Sequence, residues 1–352
     1  MKTLNTILDQ VGGTPVLHLK QFLPESSAEL YVKLEGFNPG GSVKDRAAIN
    51  MLERAEDAGK LAPGGTVVES SSGNLGVALA MACAVKKYRC IIVTDPRTTE
   101  YNRTMLKALG AEVCVADVLN PIDGTYQENR MDVARELAAS IPGAYMPWQY
   151  GNPWNPGAHV NATAKELFDD FDGGPDAIVA SVSTAGQVTG IGTGLKRLGA
   201  TTEIVGVDVM GSVVFGGEKQ PFSMTGMGLG FVPENLDERM VDTAYLVHTD
   251  PCFSAVRIIA KEYGILLGGS SGAAVFAAMH VAKELGAGKS VVAIAADRGE
   301  KYLDEIYSDE WMMKRDHPID DDRKKLIAAA EALTVFRRPS KEVQLEPLCD
   351  VA

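Results

Sequence analysis

The chain has 352 residues, 45% of them apolar and 23% charged, which is ordinary for a globular protein and long enough for two domains with sizeable cores. The formal charge of −12 argues against a nucleic-acid or anionic-membrane surface, since both need clustered Lys and Arg. A local cleft can still carry positive potential for an anionic small molecule. The five cysteines (Cys83, Cys90, Cys114, Cys252 and Cys349) are scattered. None makes a CxxC pair or stands at a zinc-ligand spacing to histidine, so reduced thiols and no metal site are expected. The opening MKTLNTILDQ lacks the basic segment and apolar core of a secretory leader, and no apolar run is long enough to span a bilayer. A reducing cytoplasm is the predicted location.

From Leu30 onward, β-branched runs alternate with helical patterns. Candidate strands in chain order are ELYVKLEG, TVVESS, RCIIVTD, AEVCVAD, AIVASVS, EIVGVDV and SVVAIAAD. Between them lie helical stretches such as NLGVALAMACAVKKY, TEYNRTMLKALG and DVARELAASI. Strands apolar on both faces and separated by crossover helices predict an α/β protein with mostly parallel sheets. The alternation breaks at PWQYGNPWNPGAH (147–159) and again at GSVVFGGEKQPFSMTGMGLGFVPENL (211–236). The first reads as a domain junction or cleft-lining loop, the second as a functional loop. Residues 312–352 form a charged, partly helical appendage whose last dozen residues are expected to be mobile.

Four glycine-rich loops fall at strand C-termini or helix N-termini: GGSVKDR (40–46), SSSGNLG (70–76), STAGQVTGIGTG (183–194) and GGSSGA (268–273). Free backbone N–H groups and the helix dipole make such places good anion sites. A P-loop is excluded, because Lys44 is followed by Asp45 rather than by a hydroxyl residue. The run Gly190-Ile191-Gly192-Thr193-Gly194 lacks the third glycine of a dinucleotide fingerprint and lies inside a helical stretch. A lysine at the start of a helix opposes the dipole, and Gly40 and Gly41 allow the backbone to approach a ligand closely. These features favour a Schiff-base lysine for pyridoxal phosphate over a solvated surface charge. Ser183, Thr184, Ala185, Gly186 and Gln187 offer the separate phosphate cradle.

The residues in series resemble the fold-type-II, β-substituting pyridoxal-phosphate enzymes typified by cysteine synthase and cystathionine β-synthase. The resemblance covers about Leu4 to Trp311, through VGGTPVLHL, NPGGSVKDR, SSSGNLGVALA, LKALGAEV, STAGQVTGIG, GMGLGFVPENLD, GILLGGSSGAA and DRGEKYL. It implies two three-layer α/β/α domains of the tryptophan synthase β-subunit type. Residues 40–146 would form a small mobile domain, and residues 1–39 with 147–311 a larger one holding the cofactor phosphate. A homodimer acting on small amino-acid substrates is also implied.

Carried over by the resemblance, Lys44 holds the cofactor's aldehyde carbon and moves the substrate's α-proton. Asn74 bonds the ring hydroxyl, Ser183 to Gln187 bind the phosphate, and Ser270 meets the pyridine nitrogen. Ser71, Ser72, Asn74 and Gln149 grip the substrate's α-carboxylate. Ser72, Asn74 and Ser270 could equally cap their helices, and Gln149 could be a solvated loop residue. Two departures stand out. Ser183, Ala185 and Gln187 replace residues of the usual GTGGT, and Leu75 replaces a threonine that contacts the substrate carboxylate. Leu75, VDVMGSVVFG (207–216) and DRGEKYLDEIYSDEW (297–311) look closer to members that make N-(2-amino-2-carboxyethyl)-L-glutamate from O-phospho-L-serine and L-glutamate. Cysteine synthesis with sulfide is the alternative. Cystathionine synthesis is expected less, since no haem-binding extension precedes Leu4 and the tail is short. A non-catalytic binding subunit is argued against by the intact Lys44, Asn74 and Ser270. Glutamate's carboxylates would need cations, for which Arg97, Arg103, Arg130 and His159 are available.

Overall fold

The computed structural model describes residues 3–121 and 126–338. Among the described residues nine strands form two sheets: β1 (Val16–His18), β2 (Glu29–Leu34), β3 (Thr66–Ser70), β4 (Arg89–Thr94), β5 (Glu112–Val115), β6 (Ala177–Ser181), β7 (Glu203–Val209), β8 (Thr243–Val247) and β9 (Ser290–Ala295). The larger sheet runs β1-β2-β9-β6-β7-β8 and the smaller β3-β4-β5. Every pairing is parallel except β1 with β2. The fold is thus α/β with mostly parallel sheets, as the alternating pattern predicts. All seven expected strands are present, and β1 and β8 are additions.

Strands β3 to β5 all fall between residues 40 and 146, whereas the larger sheet uses the chain on either side. Each sheet carries its own apolar packing. Val67, Cys90 and Ile92 meet Met51, Leu52 and Leu79 from helices Lys44–Asp57 and Asn74–Lys86. Val205, Val207, Val291 and Ala293 meet helices Thr249–Tyr263 and Gly269–Leu285. The second of these helices is buried along its length from Gly269 to Ala282, as expected where parallel strands and helices share both faces.

Helix Gly186–Arg197 contains Gly190, Gly192 and Gly194, and the structure gives them a packing role. A Cβ on Gly190 would lie 2.2 Å from the Pro156 carbonyl oxygen, and one on Gly194 2.3 Å from that of Val160. The glycines therefore let this helix touch the backbone of Trp154–Ala158 and of the π-helical turn His159–Thr163. That contact supports the loop at the helix N-terminus.

Residues 312–338 lie against the larger sheet's helices. Met312, Leu326 and Ala330 are buried, His280 Nδ1 lies 3.1 Å from the Ala330 carbonyl, and Phe336 and Arg337 bond the backbone of Ala244 on β8. The last dozen residues lie outside the described ones. Cys83, Cys90 and Cys252 are buried and, like the half-buried Cys114, unbridged; Cys349 lies outside the described residues. No described helix is long and apolar enough to cross a membrane.

A buried ion network fixes the first turn of helix Lys44–Asp57. Arg46 forks onto Glu35 at 2.6 and 2.9 Å and onto Glu166 at 2.7 and 2.8 Å. Lys33 adds a 2.9 Å contact to Glu166 and donates to the Thr14 carbonyl at 2.7 Å. Two cations and two anions cancel, and the bidentate geometry offsets the desolvation of the groups. Burial raises the Glu166 carboxyl's pKa, but Arg46 and Lys33 outweigh it and pull the value down to about 2. The unfolded value is near 4.5, so the stabilisation is complete above that pH and is lost as pH falls toward 2. At neutral pH Glu166→Gln is therefore expected to be less stable than the parent, by on the order of 2–3 kcal/mol. Denaturant melts should show the two proteins converging between pH 5 and 2; a gap that stays constant with pH would remove the linkage.

Candidate active site

The glycine-rich loops meet at the C-terminal ends of the parallel strands, where open α/β sheets bind ligands. Lys44 opens its helix directly after an extended contact: Val43 N–H donates to the Ala296 carbonyl at 2.8 Å, and Ser42 pairs with Asp297. The Lys44 amine is consequently held beside the end of β9. Burial drives its pKa below the usual lysine range, with Asp297 opposing in part. A buried amine biased toward neutrality is a competent nucleophile and proton acceptor.

Beside it, Asp45 accepts from Gly40 N–H at 2.6 Å. Burial pushes its carboxyl up to about 7 even though that N–H and Lys301 pull it down. A Cβ on Gly40 would stand 2.5 Å from Asp45 Oδ1, so this glycine is required by its own motif.

In the SSSGN loop, Ser71 Oγ accepts from Gly76 N–H at 2.9 Å and from Gly73 N–H at 3.3 Å. Ser71 thus organises the helix start. Asn74 does not cap. Its Nδ2 donates to Asp297 Oδ2 at 2.8 Å, and its Oδ1 accepts from Lys301 Nζ at 2.6 Å. The Ser72 carbonyl accepts from Asn102 Nδ2 at 3.2 Å, which ties this loop to helix Glu100–Ala108.

Gln149 is buried rather than solvated, at 6% exposure. Its Nε2 donates to the Ser70 carbonyl at 3.0 Å, and its own carbonyl accepts from Asn155 Nδ2 at 2.8 Å and Asn235 Nδ2 at 2.7 Å. Gln149 therefore links the end of β3 to the STAGQ loop, because Asn155 Nδ2 also approaches Thr184 Oγ1 at 3.2 Å.

In that loop Ala185 takes a left-handed conformation (φ 59°) and starts helix Gly186–Arg197. The turn leaves the helix's first N–H groups free, the arrangement that holds a phosphate. Gly186 is obligatory, since a Cβ there would fall 2.1 Å from Asn155 Oδ1. Gln187 Nε2 is a buried donor without a partner. Ser183 is half-buried.

Ser270 lies in the first turn of helix Gly269–Leu285 and does not cap it; Gly268 holds the cap position, and Ser271 N–H bonds the Gly268 carbonyl. Ser271 Oγ is buried without a partner. A Cβ on Gly268 would come 2.0 Å from Asp297 Oδ1, so this loop presses on the same carboxylate that Asn74 bonds. Asp297 also accepts from Tyr302 Oη at 2.7 Å. Asp297, Lys301 and Asn155 escape a reading of sequence alone. DRGEKYL is visible as a motif, but its partners come from distant segments.

The cations suggested for substrate carboxylates divide. Arg130 is buried, paired with Asp95 at 2.5 Å and donating to Ser70 Oγ at 3.0 Å. Arg103 pairs with Glu100. His159 is buried with Nδ1 2.9 Å from Thr163 Oγ1, and burial holds its pKa well below normal. Arg97 is exposed on the loop after β4, with its guanidinium 5.5 Å from the centre of the Tyr126 ring.

A lysine with a destabilised charge, an N–H cradle with an orphan amide donor and a buried free hydroxyl fit pyridoxal phosphate. The family model described as "Pyridoxal-phosphate dependent enzyme" matches residues 7–297. A cysteine synthase from Staphylococcus aureus is 41% identical over 304 residues, covering 86% of this chain and 96% of the relative. Cystathionine beta-synthase from Rattus norvegicus is 38% identical over 89% of this chain, which spans 57% of that protein. Among solved structures, O-ureido-L-serine synthase aligns with a TM-score of 0.81 at 33% identity, over 89% of this chain and 100% of the other. Cysteine synthase from Entamoeba histolytica gives 0.83 at 31%, over 94% and 96%. The chain belongs to the pyridoxal-phosphate-dependent enzymes, as a member of the cysteine synthase family that uses this cofactor for β-substitution.

Proposed function

We propose that this enzyme replaces the phosphate of O-phospho-L-serine with the amine of L-glutamate, giving N-(2-amino-2-carboxyethyl)-L-glutamate for 2,3-diaminopropionate and thence siderophore or antibiotic synthesis. The observation that carries the reading is Leu75. Its side chain, 2% exposed, packs in the small-sheet core with Ala47 and Met51. Where the family's threonine offers the substrate carboxylate a hydroxyl, this chain offers none. A solved relative named for O-ureido-L-serine supports a fold open to products other than cysteine. The 41% identity to a cysteine synthase favours the second reading, sulfide as nucleophile.

Bound pyridoxal phosphate supplies an electron sink for the pair left when the substrate's Cα–H bond breaks. Lys44 Nζ holds the cofactor, takes the α-proton and later returns it. The Cβ–O bond breaks with its electron pair going to phosphate, and the Cβ–N bond forms from the lone pair of glutamate's amine. Asn74 donates to the ring hydroxyl, and Ser270 meets the pyridine nitrogen as a neutral group. Ser183, Thr184, Ala185, Gly186 and Gln187 bind the phosphate. Ser71, Ser72, Asn74 and Gln149 orient the α-carboxylate. Residues 40–146 close as a unit over residues 1–39 and 147–311, excluding water; the separate apolar packing of the two sheets supports this. Arg97 meets a carboxylate of the incoming glutamate. It lies three residues past the C-terminal end of β4, the strand whose Val93 carbonyl accepts from Ser71 N–H.

Incubating the holoenzyme with O-phospho-L-serine or O-acetyl-L-serine, and glutamate or sulfide in turn, tests the assignment by product mass. Glutamate adduct formation with phosphate release is expected, and cysteine alone would establish the second reading. Lys44→Ala should lose at least about 10³-fold in turnover, because it removes both the covalent anchor and the proton carrier; near-normal turnover would sink the mechanism. Arg97→Ala should raise the KM for glutamate about tenfold with the KM for the serine substrate unchanged, the loss of one charge-assisted contact. An equal rise in both would assign Arg97 elsewhere.

A further inference from the structure

The Asn74 amide has a countable set of partners. Its Oδ1 accepts from Lys301 Nζ at 2.6 Å, and its Nδ2 donates to Asp297 Oδ2 at 2.8 Å. Burial lowers the pKa of Lys301 while Asp297 and Asp45 pull it back up; held between these two carboxylates the amine donates, and a carboxylate oxygen accepts. The reversed amide would set N–H groups against Lys301 and an oxygen against Asp297, so the pair admits one orientation. An amide nitrogen carries two hydrogens. Asp297 takes one, and the second remains to donate.

The two flanking groups are themselves held. Lys301, 7% exposed, also reaches the Gly41 carbonyl at 3.5 Å and faces Asp45. Asp297, 1% exposed, is bonded by Tyr302 Oη at 2.7 Å and backed by Gly268. Arg298 and Glu300 stand on the same segment and act on Lys301 less than Asp297 and Asp45 do, while Lys44 faces Asp297. The lysine is thus fixed between the GGSVKDR loop and the SSSGN loop, and nothing in the proton transfers described above uses it.

We propose that Lys301 and Asp297 are positioning residues, which lock Asn74 as a hydrogen-bond donor toward the cofactor's ring hydroxyl and hold that oxygen in its anionic form. The inference rests on the reading of Asn74 as the ring-hydroxyl contact. Removing the Lys301 ammonium frees the amide to turn, and an amide oxygen facing the ring would repel the anion. Arg at 301 keeps a donor for Oδ1 and should preserve the lock.

The test uses holoenzyme carrying Lys301→Met, Lys301→Arg, Asp297→Asn, Asn74→Ala, and Asn74→Ala with Lys301→Met. For each, the cofactor's visible absorbance is followed against pH and its dissociation constant is measured, with thermal melts to confirm folding. Lys301→Met is expected to displace the absorbance titration and to weaken cofactor binding about tenfold, the loss of one hydrogen bond tied to a charged group. Lys301→Arg should restore both, and Asp297→Asn should shift them in the same direction as Lys301→Met should that variant fail to fold. In the Asn74→Ala background Lys301→Met should add nothing, since the coupling runs through the amide. An unchanged titration in Lys301→Met, or an effect undiminished in the Asn74→Ala background, overturns the positioning role. An unchanged titration in Asn74→Ala overturns the ring-hydroxyl reading on which it rests.

Discussion

Arg46 is held by two carboxylates at once, and the placement of Lys44 follows from that grip. Glu35 comes from the turn after β2 and Glu166 from helix Ala164–Asp170, so the guanidinium fastens the first turn of helix Lys44–Asp57 to the larger sheet's framework. Removing one of the two carboxylates would leave the buried cations short of negative charge, while removing Arg46 would leave Glu35 without its cation. A lysine two residues upstream of such a clamp cannot wander. Its burial, and hence its lowered basicity, is imposed by a neighbour that takes no part in the chemistry.

A second constraint joins the loops. Asp297 receives Asn74 from the small sheet and Tyr302 from its own segment, pairs by backbone with Ser42 and presses against Gly268. Three loops far apart in the chain thus converge on Asp297 at the end of β9, two of them on its carboxylate and one on its backbone. Gln149 and Asn155 make the corresponding link on the phosphate side, from Ser70 across to Thr184. The site is polar but closely cross-connected, so its groups are oriented before any ligand arrives.

Much of this was legible in the chain. Seven strands announce themselves as β-branched runs, and Asp45 alone is enough to dismiss a P-loop. β1 escapes because three residues carry no period, and β8 because TAYLV follows the long irregular stretch without a turn signal. The glycines at 190 and 194 already fail as a nucleotide motif in the sequence, but their packing role shows only against the opposing backbone of Pro156 and Val160. The roles of Asp297 and Lys301 could not be read, because their bonds to Asn74 span 223 and 227 residues. Asn74 and Ser270 have the residue types of helix caps, but Gly73 and Gly268 hold the cap positions, and the Asn74 side chain bonds Asp297 and Lys301 instead. For Gln149, expected at the substrate carboxylate, the alternative of a solvated loop residue falls with its burial beside Asn155 and Asn235, which no local pattern predicts.

The two borders of the larger sheet are finished differently. One border is β1, three residues long and antiparallel to its neighbour. The other is β8, whose outward backbone at Ala244 is met by Phe336 and Arg337 from the end of the described chain. An open border of parallel strand is a template for another molecule's backbone. The segment after Trp311 therefore acts as a selvedge. Cut away, it would bare hydrogen-bonding groups of β8 together with the apolar surface under Leu326 and Ala330, and the enzyme's tendency to associate would change even if every group at the catalytic centre stayed in place.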